Sequence, residues 1–229
     1  MSVMPGSPAH ALTLRISETF LSLQGEGPSA GTPAHFLRLQ GCDVGCRWCD
    51  TKYTWDHGGG RGLTIAEAFA ELRALGDASL LVLTGGEPLA HPGVDRLLSA
   101  AVGQWRRVEV ETSGLMPLPL THERLFAMWS PKLPNATERW ADTWAHAAAF
   151  IADPRTTLKL VVGRGDEGDA LRLIADHAIP HARVTLMPEG MTDAALAERA
   201  RELAPLCVRE GFRLSPRLQV WLWGAKRGV

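Results

Sequence analysis

The chain has 229 residues, 45% of them hydrophobic and 21% charged, a globular mix long enough to bury a core without disulfide staples. Its formal net charge of -1 argues against a general nucleic-acid binder, and no nucleic-acid partner is expected. No apolar run approaches a bilayer span and the opening residues carry no secretory h-region, so no membrane is expected and the protein is placed in the cytoplasm, where thiols stay reduced.

The opening "MSVMPGSPAHA" (1–11) is small, polar and proline-containing and reads as a disordered tail; residues 12–229 read as one domain. "HFLRLQG" (35–41) predicts a strand that delivers the chain to a cysteine-rich loop. "TIAEAFAELRALG" (64–76) predicts a helix. Thr64 and Glu67 have capping-box spacing, Gly76 stands at the C′ position, and Ile65, Ala68, Phe69, Leu72 and Leu75 form an apolar stripe. "SLLVLTGGEP" (79–88) is an apolar run ending in glycines, as in a parallel strand buried on both faces. A helix near 93–103 leads to the strand "RVEVETSG" (107–114) and a weaker strand, "FAMWSPK" (126–132). The Trp-rich stretch 133–150 reads as an insertion. "TTLKLVV" (156–162) and "ARVTLMPEG" (182–190) predict strands; 168–178 and 193–211 predict helices. This alternation implies an α/β fold with about six parallel strands and helices outside, fewer strands than a closed eight-stranded barrel.

Glycines and polar residues gather just after these strands, in "TGGEP", "ETSG", "SPK" and "MPEG". Parallel strands end at one rim, where α/β proteins bind ligands, so these ends predict one shared site.

"GCDVGCRWCD" (41–50) places Cys42, Cys46 and Cys49 within eight positions, and the fourth cysteine, Cys207, lies on an apolar helix face as a core residue. A cytosolic cluster of thiols reads as metal-binding or catalytic rather than as a disulfide framework. Structural zinc takes four ligands, and the candidate fourth, His57, stands beside "GGG" without a partner pair. Three thiolates on a four-iron cluster leave one iron open for chemistry.

C-x-x-x-C-x-x-C with Trp48 before the last cysteine resembles the signature of the radical S-adenosylmethionine enzymes, and "GGEP" (85–88) resembles the motif that meets the methionyl group in that superfamily. Within it, "FLSLQGEGPSAGTPAHFLRLQGC" followed by "CDTKYTW" is similar to the 7-carboxy-7-deazaguanine synthase family of queuosine and 7-deazapurine biosynthesis. That resemblance implies an incomplete TIM-like barrel, a 4Fe-4S cluster, S-adenosyl-L-methionine and Mg²⁺ as cofactors, and a homodimer. It also implies an external one-electron donor of the flavodoxin type. The implied reaction converts 6-carboxy-5,6,7,8-tetrahydropterin to 7-carboxy-7-deazaguanine with loss of ammonia. A 5′-deoxyadenosyl radical takes a hydrogen from C6 of the pterin, and the product-like radical later reclaims it.

Carried over residue by residue, the resemblance assigns Cys42, Cys46 and Cys49 to the cluster and Thr51 to Mg²⁺. Leu23, Gln24, Gly25, Arg38, Thr84 and Glu111 fall to the pterin. Gly86, Glu87, Ser130, Lys132, Met187, Pro188 and Glu189 fall to S-adenosyl-L-methionine, with Glu87 as a candidate acceptor for its ammonium group. The terminal "RLSPRLQVWLWGAKRGV" lacks the Gln-Thr-His-Lys run of some relatives, and Val229 is the one pterin contact assigned there. Two other readings fit the cysteines: a glycyl-radical-enzyme activase acting on a partner protein, and a structural zinc module.

Overall fold

The computed structural model describes residues 12–224 and 226–229. The expected tail at 1–11 lies outside them. The strands are β1 (Thr13–Leu23), β2 (Pro33–Leu39), β3 (Arg61–Thr64), β4 (Leu80–Gly85), β5 (Arg107–Thr112), β6 (Leu125–Trp129), β7 (Thr156–Val162), β8 (Val184–Pro188) and β9 (Arg213–Leu214). The helices are α1 (Ile65–Ala74), α2 (Val94–Val102), α3 (Ala147–Ala152), α4 (Glu167–Asp176), α5 (Asp193–Glu210) and α6 (Leu218–Trp223).

Among the described residues, nine strands join one sheet in the order β3-β1-β2-β4-β5-β6-β7-β8-β9. Each pair from β2 to β9 is parallel; β1 runs antiparallel to both β2 and β3. The six expected parallel strands are present, and β9 adds a short seventh. The sheet is therefore an α/β sheet with parallel pairing dominant, the architecture of a partial barrel, with β3 and β9 as its edges. The antiparallel β1 and β3 were not anticipated. β3 has only four residues, two of them exposed, and offers no apolar pattern. No helix among the described residues is long and apolar enough to cross a membrane.

α1 begins as its sequence dictates. The Thr64 side chain accepts from the Glu67 amide while the Glu67 carboxylate accepts from the Thr64 amide. Ala68, Phe69 and Leu72 are buried, but Leu75 is 46% exposed because the helix stops at Ala74. Cys207 lies in the core on α5.

Side chains alternate across a strand with a period of two, and that period sorts the sheet into two faces. Leu37 and Leu39, Leu81 and Leu83, Val108 and Val110, Leu158 and Leu160, and Val184 and Leu186 belong to the large core that also takes in the buried faces of the helices. The other parity points inward. Ala34, Phe36, Leu80 and Val82 pack with Phe20 in a small second cluster, where the rings of Phe20 and Phe36 stack 4.6 Å apart. One step further along the same parity stand Arg38, Thr84, Glu111, Lys159 and Met187. The strand period alone thus aims these five side chains into the space at the strand ends.

Candidate active site

That space is a cavity of about 320 Å³, lined by residues from nearly every strand end and by the chain's C-terminal segment. Every residue that the sequence assigned to a cofactor or substrate lies along it: Leu23, Gln24, Gly25, Arg38, Cys42, Cys46, Cys49, Thr51, Thr84, Gly86, Glu87, Glu111, Ser130, Lys132, Met187, Pro188, Glu189 and Val229. Cys207 and His57 do not. His57 instead meets Asp43 on the surface, Nε2 to Oδ1 2.8 Å.

The three thiols follow β2 and are half-buried. Burial pushes the Cys42 thiol up to about 11, and burial also raises Cys46 against the opposing charge of Lys132. A bound cation would be needed to hold these sulfurs as thiolates near neutral pH. Among the described residues no three histidine, cysteine or carboxylate side chains stand ready to hold a single metal ion. The thiols instead open together onto a cavity large enough for a bulkier group. The wall beside them is cut to fit: a Cβ on Gly86 would lie 2.0 Å from the Gly41 carbonyl oxygen and 2.8 Å from the Cys42 Cβ. Three sulfurs, an open side and a backbone cradle fit a three-thiolate iron–sulfur cluster with a ligand on its open iron.

The cysteine loop is held from outside by the insertion. Thr137 donates to the Val44 carbonyl at 2.5 Å, the Arg47 amide donates to the Ala136 carbonyl at 2.9 Å, and Arg139 donates to the Asp43 carbonyl at 3.0 Å. The insertion also sets the end of β6. The Lys132 amide donates to the Thr143 hydroxyl at 2.8 Å, and Trp144 donates to the Lys132 carbonyl at 2.9 Å. The Lys132 ammonium lies 3.5 Å from the Ser130 hydroxyl.

Glu87 is committed differently from the ammonium acceptor expected. Its Oε1 accepts from the Leu89 amide and the Thr112 hydroxyl at 3.0 and 2.6 Å. Its Oε2 accepts from the Ser113 amide at 2.7 Å and from the Ser113 hydroxyl. With four donors on two oxygens and 2% exposure, this carboxylate ties the end of β4 to the end of β5. Thr51 lies next to Cys49, its hydroxyl 3.4 Å from that sulfur.

On the other side of the cavity Arg38 donates through Nε to Glu18 Oε2 at 2.9 Å. Glu18 also accepts from Tyr53 at 2.9 Å and from Arg227 at 2.8 Å, and the Arg227 guanidinium lies 3.6 Å from the centre of the Tyr53 ring. Burial would raise the Glu18 carboxyl, but these donors and charges hold it below its usual range. Gln24 is fixed at both ends of its amide: it accepts from the Glu26 amide at 3.1 Å and donates to Glu111 at 3.2 Å.

The sequence reading passed over several residues here. Glu26 pairs with Lys159 and Arg217 and accepts from Gln219 at 2.8 Å. Burial would raise this carboxyl, yet the two cations outweigh it and hold it near about 2. Lys159 carried a signal, since a lysine at inward parity in "TTLKLVV" must face the cavity. Arg217 and Arg227 belong to no motif, and only the fold brings them here.

The sequence matches the radical SAM superfamily over residues 37–203. It is 39% identical to the 7-carboxy-7-deazaguanine synthase of Pyrobaculum aerophilum, over 94% of this chain and 97% of that protein. It is 35% identical to the same-named protein of Hyperthermus butylicus, over 90% and 92%. Among solved structures it resembles QueE from Escherichia coli with a TM-score of 0.65 and 28% identity, covering 89% of this chain and 93% of that one. Streptococcus suis SuiB, 13% identical at a TM-score of 0.52, shares the fold alone. With relatives above 30% identity aligned almost end to end, the chain belongs to the radical S-adenosylmethionine superfamily and, within it, to the 7-carboxy-7-deazaguanine synthases.

Proposed function

We propose that the protein converts 6-carboxy-5,6,7,8-tetrahydropterin to 7-carboxy-7-deazaguanine and ammonia, as a radical S-adenosylmethionine lyase of 7-deazapurine biosynthesis. The observation that carries this is the full-length likeness to synthases of that name, in a chain whose corresponding site positions all line one cavity. Cys42, Cys46 and Cys49 would hold the cluster, and Gly86, Ser130, Lys132 and the 187–189 strand end would hold S-adenosyl-L-methionine. Bound together, the two supply a 5′-deoxyadenosyl radical. Glu87 acts on this part of the site through the strand ends it joins.

The remaining residues bind and orient. Glu18 engages Nε of Arg38, so the guanidinium is held with its two terminal nitrogens left to meet a carboxylate as a fork. Gln24 and Glu111 hold each other and present fixed polar edges to the pterin ring. Thr51 would offer one hydroxyl to Mg²⁺, with substrate oxygens and water completing the shell. Lys226, Arg227 and Val229 cover the cavity from the C-terminal side. The working enzyme is a cytoplasmic homodimer that draws its electron from an external one-electron donor.

The test supplies the anaerobically reconstituted protein with dithionite, S-adenosyl-L-methionine and substrate deuterated at C6. Deazapurine should form, deuterium should appear in recovered S-adenosyl-L-methionine, and the cofactor should not be consumed. Cleavage of the cofactor with no deazapurine would refute the substrate.

A further inference from the structure

Arg217, the residue before α6, is largely buried, its side chain 8% exposed, and it contributes to three loops at once. Its Nε meets Glu26 Oε1 at 3.2 Å, one residue beyond the Leu23–Gly25 segment. Its Nη1 donates to the Gly190 carbonyl at 2.6 Å, one residue beyond the 187–189 strand end. Its Nη2 pairs with Asp50, one residue beyond Cys49. The pterin loop, the cofactor strand end and the cluster loop are therefore spanned by one planar, charged group.

The neighbourhood is built around that group. The Leu218 amide donates to the Gly25 carbonyl at 3.0 Å, so the start of α6 sits directly on the pterin loop. A Cβ on Gly25 would fall 1.8 Å from the Gln219 Oε1, so a larger residue there would push the Gln219 side chain off its place on Glu26. Lys159 and Gln219 occupy the rest of the Glu26 carboxylate. Two carboxylates, Glu26 and Asp50, face two cations, Lys159 and Arg217, and the group is neutral as a whole. A lysine at 217 could satisfy one arm but not three, because an ammonium on a flexible stem lacks the fixed fork of a guanidinium.

We infer that Arg217 is a positioning residue that sets the separation between the pterin half and the cofactor half of the site. This rests on the reaction proposed above. Hydrogen transfer between two bound molecules depends steeply on their spacing: a shift of ~1 Å costs on the order of 10²-fold in rate. Arg217 lies along the cavity, but its guanidinium nitrogens are committed to Glu26, Asp50 and the Gly190 carbonyl, each beside residues assigned to substrate, cluster or cofactor. Without it the two halves still form, but their spacing is no longer fixed.

The experiment compares wild type, Arg217→Gln, Arg217→Lys and Asp50→Asn. The first readout is hydrogen–deuterium exchange on the cluster-free protein. Exchange should quicken at residues 24–27 and 46–50 together in Arg217→Gln, and at 46–50 alone in Asp50→Asn. The second is 5′-deoxyadenosine released per deazapurine formed at saturating pterin. It should rise about tenfold or more in Arg217→Gln, with kcat lowered and KM within about threefold, the pattern of lost transition-state geometry. Arg217→Lys should recover protection at 24–27 only. Unchanged exchange at both loops, with an unchanged product ratio, overturns the inference. If Arg217→Gln does not fold, Asp50→Asn decides, since Asp50 is 42% exposed and can turn to water; normal exchange and coupling there also overturn it. If wild type makes no deazapurine, the proposed reaction fails while the exchange comparison still decides whether Arg217 joins the loops.

Discussion

Glu87 shows how far one side chain's role depends on where its oxygens point. In sequence it is the acidic residue of "GGEP", free to meet a cationic ligand. In the folded chain it accepts from Leu89, Thr112 and Ser113 and is closed to water. Glu87→Gln keeps the shape but turns one acceptor oxygen into a donor nitrogen, setting donor against donor at two bonds. A buried group left unsatisfied costs about 1–3 kcal/mol, so the denaturation midpoint of the cofactor-free protein should fall. A variant with unaltered cofactor-free stability and weakened S-adenosyl-L-methionine binding would return Glu87 to the ammonium. The same scale shows what was legible. Arg38, Thr84 and Glu111 could be placed because each ends a strand whose apolar neighbours fix its parity. Glu26 stood inside the quoted "LQGEG" without a residue-level reason to single it out, because its two cations lie 133 and 191 residues away.

Among the elements, the 133–150 insertion was legible as an interruption and illegible in purpose. Its aromatic residues have a packing role: Trp144 meets Trp129 edge-on, 5.1 Å between centres, and Phe150 stacks on the same ring at 5.2 Å. Those contacts seat it, and its polar residues then hold the cysteine loop and the β6 end. Thr143 is the hinge of this arrangement: its hydroxyl accepts from Lys132 and donates to the Trp140 carbonyl at 2.6 Å. Thr143→Val conserves volume and strands the Lys132 amide, at a cost of about 1–3 kcal/mol. S-adenosyl-L-methionine affinity should drop while iron content is retained, measured by equilibrium dialysis and iron assay. Retained affinity would confine Thr143 to packing. The parallel strands were the easiest elements to find, since burial on both faces leaves nearly unbroken apolar runs. β9 has two exposed residues and no such run.

At the scale of the whole molecule, stability should depend on two neutral histidines. His35 donates from Nε2 to the Gly76 carbonyl at 3.0 Å and accepts at Nδ1 from Trp105 at 3.0 Å. His91 accepts at Nε2 from the Arg15 amide at 3.0 Å and donates from Nδ1 to the Pro92 carbonyl at 2.8 Å. Each ring has one nitrogen facing an N–H, so a second proton would set donor against donor. Burial lowers both below the usual 6.5. The folded state thus binds fewer protons than the unfolded chain below that value, and stability is lost as the pH is lowered. The denaturation midpoint should hold steady above pH 7 and decline between pH 6.5 and 5. A flat profile in His35→Gln/His91→Gln would assign the decline to these rings, and an unaltered slope would assign it elsewhere. The Arg217 contact to Asp50 has a consequence in time. The two residues are 167 positions apart in the chain. A ribosome moving at ~5–20 residues per second needs roughly ten to thirty seconds to travel from one to the other. For that interval the nascent cysteine loop lacks its Arg217 clasp, with the insertion its earlier support, and is open to the machinery that loads iron and sulfide and to any oxidant that arrives first.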